Sequence, residues 1–263
     1  MNRWLLNTFP GWLLFLAIVG AFVGLAAAGK RAVQRRFAAA PEEKKLAISG
    51  SVFEVAGGVF ALLVAFVVVA AWSDFKSAED TVTMEGSHLA RLMRDSRAFP
   101  PSVQDSIRAD VGRYLHEVVN REWNLMAEGK QSTRAWTEVD ALFADIRAFE
   151  PKTTIEQASY QEAFQNLNDF VASRRERLFR GENQMPGAME GVMFASGLLV
   201  VGFSLLLGPR DSRFDSIMVF GVAGLVAGTL WLTIMLSEPF AGDVRVSNHP
   251  LRSGELADLY TPR

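Results

Sequence analysis

Glu85 and His88 stand three residues apart. That spacing sets a carboxylate and an imidazole on one face of a helix, as in each Glu-x-x-His half of a carboxylate-bridged di-iron bundle. His116-Glu117-Val118-Val119-Asn120 begins like H-E-x-x-H, where two imidazoles one helical turn apart hold zinc and the glutamate acts as base. Neither pattern is complete. Asn120 stands where the second histidine ligand belongs. A di-iron site needs a second Glu-x-x-His pair and two further glutamates, and neither His116 nor His249 has a glutamate three residues before it. Glu85 and His88 therefore read as a solvated helix face. The chain has no cysteine, which excludes disulfides and thiolate metal sites. No G-x-x-x-x-G-K-[ST], no G-x-S-x-G and no repeated basic-aromatic pattern occurs, so the chemistry of phosphate loops, serine hydrolases and nucleic-acid binding has no carrier. The expectation is no enzyme, no catalytic or metal-binding residue, no cofactor and no nucleic-acid partner.

The elements that position these residues belong to a membrane protein. The 263 residues are 49% hydrophobic and only 21% charged, too oily for a soluble domain of this size. No charge occurs from Leu5 to Gly29, Val55 to Ser73, Gly191 to Pro209 or Ser216 to Ser237. Each run is long enough to cross a hydrocarbon core as a helix at about 1.5 Å per residue. This gives four transmembrane spans, at 11–29, 49–72, 187–208 and 216–237. The first run, with Ala26-Ala27-Ala28 before Gly29, also imitates a cleavable signal peptide. Lys30, Arg31, Arg35 and Arg36 directly after it resist export and favour an anchor.

Four crossings put the N-terminal stub, residues 73–186 and the tail 238–263 on one face, with loops 30–48 and 209–215 on the other. The loops carry eight basic residues, Lys30, Arg31, Arg35, Arg36, Lys44, Lys45, Arg210 and Arg213, and the stub and tail carry four, Arg3, Arg245, Arg252 and Arg263. The positive-inside rule then places the loops in the cytoplasm and the long middle segment on the opposite, periplasmic or extracellular, side of the membrane.

That middle segment reads as helices. Phe75, Val82, Leu89 and Leu92 continue the second span to Pro100-Pro101 without a breaker. Val103, Ile107, Val111, Leu115, Val118 and Met126 mark a second helix closed by Gly129. Ser132 caps a third, which carries Trp136, Val139, Leu142, Phe143, Ile146 and Phe149 and stops at Pro151. Thr154 begins a fourth, with Ala163, Phe164, Leu167, Phe170, Val171 and Leu178. Short connections between amphipathic helices predict antiparallel neighbours. The expected fold class is thus an all-α membrane protein, four transmembrane helices with an extramembrane antiparallel four-helix bundle inserted between spans two and three. Its divisions are 1–72, 73–186, 187–237 and 238–263.

Within the spans, Gly20-x-x-x-Gly24-x-x-x-Ala28 and Gly224-x-x-x-Gly228 allow close helix approach, read here first as packing among the four spans and second as contacts between subunits. Glu54 and Glu190 sit near span ends, where a carboxylate reaches the interface or faces a water path. Span two, with Gly57, Gly58, Ala61, Ala65 and then Val67, Val68 and Val69, is the best pore-lining segment, joined by Glu54 and Glu190. After span four, Pro239 ends the helix, Phe240 is expected at the membrane interface and Gly242 redirects the chain. Val244 and Val246 are expected to pack on the bundle, and Asp243, in the stretch it shares with Arg245, to pair with one of Arg174, Arg175 and Arg177. Beyond His249 the tail suits disorder better than docking.

The basic loop after span one, GGVFALLVAFVVVAAW at 57–72 running into SDFKSAED, VVNREWNLMAEG at 118–129, SRRERL at 173–178 and the closing PFAGDVRV occur in one order. Together they resemble the bestrophin-like family of bacterial membrane proteins, over nearly the whole chain. The resemblance implies kinship with bestrophins, pentameric anion channels with a hydrophobic constriction, though no bestrophin pore or ligand residue carries over to a numbered position here. It implies an oligomeric membrane protein of ion-channel type in a bacterial inner membrane, with the lipid bilayer and further copies of the chain as partners. The other reading is a non-conducting, membrane-anchored structural or sensing module whose helical bundle binds a partner or ligand.

Overall fold

The structure, a computed structural model, describes residues 3–36, 43–182, 185–206 and 213–260. Arg210 and Arg263, counted above for orientation, lie outside the described residues. Nine α-helices are described: α1 (Arg3–Thr8), α2 (Gly11–Arg36), α3 (Glu43–Asp95), α4 (Pro101–Glu117), α5 (Trp123–Ala127), α6 (Thr133–Ala148), α7 (Thr154–Glu182), α8 (Gly187–Ser204) and α9 (Arg213–Leu236). A π-helical turn at Val118–Glu122 joins α4 to α5, and short 3-10 turns occur at Ser96–Ala98, His249–Arg252 and Gly254–Leu256. No strand occurs among the described residues. Four helices are long and apolar enough to cross a membrane, in Gly11–Val33, Ser49–Ala98, Gly187–Ser204 and Arg213–Leu236.

The chain divides into two compact units. The first comprises Met1–Ser73, Met185–Ser237 and Gly242–Val244. Here α2 packs along α9, and α8 along both. Contacts at the two ends show that α2 and α9 run antiparallel. Trp231 Nε1 donates to the Gly11 carbonyl at 3.0 Å, while Lys30 bonds Asp215 and Ser216, each at 2.7 Å. The core is Phe22, Ala26, Phe60, Val64, Val67, Met193, Val200 and the α9 residues Val219, Ala223, Val226, Ala227 and Leu230. At Gly197 a Cβ would meet Val226 at 2.8 Å, so glycine sets how closely α8 approaches α9.

The small-residue motifs do not mainly serve this packing. A Cβ at Gly20, Gly24 or Gly224 would meet nothing within 4 Å, and only Gly228 has a neighbour, Phe15 at 3.7 Å. The expectation that both motifs join helices within one chain holds at that position alone.

The second unit comprises Asp74–Gln184, Glu238–Ala241 and Arg245–Arg263. Within it α4 packs on α6, and α7 packs on α5 and α6. Pro101 opens α4 at a position where a missing N–H costs nothing. Gly129 takes φ 76° after α5, with its N–H on the Met126 carbonyl and that of Lys130 on Leu125, a left-handed helix stop. Ser132 Oγ accepts from Ala135 N to cap α6. The core holds Leu89, Leu92, Ile107, Leu115, Leu142, Ile146, Leu167 and Phe170, all fully buried.

The tail beyond His249 is docked, contrary to the expectation of disorder. Leu251 and Leu256 are buried, and Pro250 lies so close to Gly86 that a Cβ there would come within 2.7 Å of its carbonyl oxygen. Arg94 reaches Glu255 at 3.4 Å, and Tyr260 donates to Asn120 at 2.9 Å.

Candidate functional site

The residues proposed to line a pore, Glu190 apart, lie on the membrane-crossing part of α3. Phe60, Val64, Val67 and Ala71 recur at steps of four and three and are buried, so they form the face turned into the first unit. Val67 therefore leaves the pore-lining set. Glu54, Gly58, Ala61 and Ala65 recur with the same steps along a different line and are all exposed, while Gly57 is half-buried. A Cβ at Gly57 or Gly58 would meet nothing within 4 Å. At about 100° per residue, a third line runs beside it through Val55, Val59, Leu62, Phe66 and Val69, exposed as well. One chain thus leaves a carboxylate and a strip of small residues uncovered along a membrane-length helix. Glu190, on the first turn of α8, is half-buried.

The tail motif is distributed over both units. In the first, Gly242 takes φ 73°, a left-handed conformation that favours glycine, and its N–H bonds Asn7 Oδ1 at 3.2 Å. Asp243 accepts from the Gly11 N–H, putting its carboxylate on the first orphan donor of α2, where the helix dipole favours negative charge. This is its partner, in place of the expected arginine. Val244 is exposed rather than packed. In the second, Phe240 is buried with its ring 5.7 Å from Trp123, edge to face, rather than lying at a membrane interface. Val246 is buried, its N–H closes a turn to the Pro239 carbonyl at 2.7 Å, and its own carbonyl accepts from Trp123 Nε1 at 3.3 Å. Arg245 is exposed.

The second unit also contains a cluster that the sequence pattern had not disclosed. Glu85, expected on a solvated face, is completely buried, as are Glu122, Arg174, Arg177 and Tyr114. Arg177 donates to both oxygens of Glu85, at 2.6 and 3.1 Å, to Glu122 at 2.9 Å and to Met126 Sδ at 2.7 Å. Arg174 clasps Glu122 with two bonds, at 2.7 and 2.6 Å, and donates to the Tyr114 hydroxyl at 3.0 Å. That hydroxyl donates in turn to Glu85. Glu122 accepts a further bond from Ser132 N at 3.0 Å. Trp136 and Trp123 lie under the guanidiniums of Arg174 and Arg177 at 4.7 and 5.3 Å, favourable cation–π contacts. Two carboxylates and two guanidiniums balance to zero charge.

Pairing, not isolation, sets the ionisation of this cluster. Burial pushes Glu122 toward its neutral form, but hydrogen bonds from Arg174 and the charge of Arg177 outweigh it and hold the carboxyl below its ordinary value. Burial likewise opposes the charge on Arg177, and Glu85, Tyr114 and Glu122 together more than reverse this, leaving it well above its usual range. Burial raises Tyr114 strongly, so the phenol stays a donor. The π turn carries Glu122 as its last residue; a turn of this kind inserts an extra residue and so rotates the side chains on its C-terminal side to a new heading.

A sequence profile for the Bestrophin-like domain matches residues 20–251. Among solved structures, the chain is similar to a bacterial Bestrophin homolog from Klebsiella pneumoniae at 13% identity and a TM-score of 0.67, covering 95% of this chain and 99% of that one. A variant of such a homolog gives 12% and 0.69, covering 89% and 93%. A further structure described as a membrane protein gives 12% and 0.70, covering 94% and 99%. At these identities the likeness establishes the fold. No curated protein matches the sequence.

Proposed function

The chain belongs to the bestrophin-like family, and from that premise we propose that it is an oligomeric, ion-conducting protein of a bacterial inner membrane with α3 as its pore helix. The observation that carries this reading is the exposed line Glu54, Gly58, Ala61 and Ala65 on α3. Lipid is a poor cover for a carboxylate and gains little from glycine. Copies arranged about a common axis would turn these lines toward one another and enclose a water path that one four-span chain cannot close. A ring of Glu54 carboxylates would favour cations over anions at that level.

Residues 73–186 are then an extramembrane antiparallel helical bundle inserted between spans two and three, and the charge asymmetry of the loops puts it outside the cytoplasm. A cysteine at Gly129 would react with an impermeant maleimide on intact cells. Labelling only after permeabilisation reverses the orientation.

Flux from proteoliposomes tests conduction. The purified protein should release potassium or chloride above empty vesicles and run as a defined multimer by native mass spectrometry. Ala61→Trp, which fills the line without adding charge, should cut the flux at least several-fold. A monomer without flux would sink the reading and leave the anchored binding module in its place.

A further inference from the structure

A cavity of about 740 Å³ lies in the second unit, lined by α4, the π turn, the start of α6 and the tail. Arg113, Glu117 and Arg121 succeed one another at four-residue steps along its wall, with His116 beside them. Arg134, the second residue of α6, faces them. Gly112 and Leu259 complete it; a Cβ on Gly112 would already come 3.4 Å from the Leu259 carbonyl.

The charges around this cavity are unevenly paired. Arg113 is matched by Asp110 and by Glu138, the latter at 2.8 Å. Arg121 and Arg134 share one carboxylate, Glu117, at 3.8 and 4.0 Å, and their side chains are 64% and 66% exposed. Glu117 already accepts from Ser132 Oγ at 2.6 Å. Two exposed guanidiniums thus line the open volume with one distant carboxylate between them. Arginine is the cation whose planar fork binds carboxylate or phosphate oxygens in pairs. The volume falls within the about 300–1,000 Å³ usual for small-molecule sites, but the wall is charged where such sites are mostly apolar, which selects a hydrophilic ligand.

We propose that this cavity binds a small, multiply charged anion bearing phosphate or carboxylate groups, held chiefly by Arg121 and Arg134. The site is independent of the conduction reading. Glu117 keeps the two guanidiniums in place while the cavity is empty and yields them to a stronger acceptor.

Calorimetric titration of the full-length protein in nanodiscs, at about 50 mM salt so that screening is modest, tests the proposal with inorganic pyrophosphate and with citrate as separate probes. One saturable site per chain is expected for at least one probe, and the tighter probe assigns the ligand's chemistry as phosphate or carboxylate. The double variant Arg121→Ala/Arg134→Ala should bind about 100-fold more weakly, roughly tenfold per guanidinium. Both side chains are solvent-exposed, so the fold should survive, as an unchanged melting temperature would verify. Glu117→Gln removes the competing charge, keeps an acceptor for Ser132 and should tighten binding several-fold. Arg91→Ala, which deletes an exposed arginine outside the cavity lining, should leave affinity unchanged. The proposal is overturned if neither probe saturates, if the double variant binds like the parent, or if Arg91→Ala weakens binding as much.

Discussion

In the first unit Phe66 and Leu225 are 68% and 72% exposed, whereas in the second Arg174 and Arg177 have no exposed surface at all. Each unit thus shows outward what the other hides. A helix in hydrocarbon gains nothing by hiding leucine, so the first unit, whose core sets Phe22, Phe60 and Leu230 beside the small residues Ala26, Ala223, Ala227 and Gly197, leaves many large apolar side chains outside. The second unit instead buries its apolar stripes around a neutral quartet of charges. Burying ions is costly, and such a quartet contributes less to stability than to selecting one arrangement. Its members come from α3, the π turn and α7, so sliding one of these helices by a turn would strand a charge in the core.

The sharpest way to break this contrast is to unbalance the quartet. Glu122→Ala leaves two buried guanidiniums facing one carboxylate and should cost about 3–5 kcal/mol, lowering the melting temperature by roughly 10 °C or more. Glu85→Leu with Arg177→Met removes one charge of each sign and should cost less than Glu122→Ala. If Glu122→Ala melts within a few degrees of the parent, the quartet does not organise the second unit.

The quartet is not among the expectations drawn from the sequence, although a signal for it is present there. Ala78, Val82, Glu85, Leu89 and Leu92 keep the core spacing of α3, and Leu167, Phe170, Arg174, Arg177 and Gly181 keep that of α7. Glu85 and the two arginines occupy apolar positions in register, with opposite signs on different helices. Treating each charge as a solvated residue hides the pattern. The membrane helices are legible because length and lack of charge suffice to find them. Capping at Ser132 and the stop at Gly129 are legible because their backbone demands are local. The π turn is not, since its periodicity differs from an α-helix by one residue, and the docking of the tail depends on Gly86 and Pro250, which are far apart in sequence. The pairing of Asp243 with the start of α2 escapes a sequence pattern for the same reason.

A smaller effect separates the quartet from a carboxylate that lacks full compensation. Asp110 is buried, and burial pushes its carboxyl up to about 6, with Arg113 pulling it down and Asp145 and Glu138 adding to the rise. A raised folded-state value means that the charged form is disfavoured on folding. The stability linked to Asp110 is therefore full below the unfolded value of about 4 and is lost as pH rises through about 6. Glu122 has the opposite sign. Its contribution is present above the unfolded value and is lost as pH falls through its lowered folded value. Asp110→Asn should accordingly stabilise the protein at pH 8 by about 1 kcal/mol, after allowing for solvent screening, and the gain should vanish by about pH 4. Thermal melts of parent and variant across that range check it; an equal gain at both ends would mean that the aspartate's charge is not the cause.

The smallest expected effect tests the other half of the contrast within a single helix. Leu225 and Leu230 both belong to α9, but Leu225 is 72% exposed while Leu230 is fully buried in the core with Phe60, Val64 and Met193. Leu230→Ala leaves a cavity among these neighbours. Because lipid is as apolar as the core, the lost transfer energy is small and the lost packing dominates, so the cost should fall near the lower end of the series for buried leucines, about 2–3 kcal/mol. Leu225→Ala exchanges one lipid-facing apolar surface for a smaller one and should change stability by less than about 0.5 kcal/mol. Melting curves of both variants in the same detergent give the comparison. Similar losses in both, or dissociation by Leu225→Ala alone of the multimer proposed above, would mean that this face of α9 meets protein rather than lipid, and the rule that the first unit turns its leucines to hydrocarbon would fail where it is most visible.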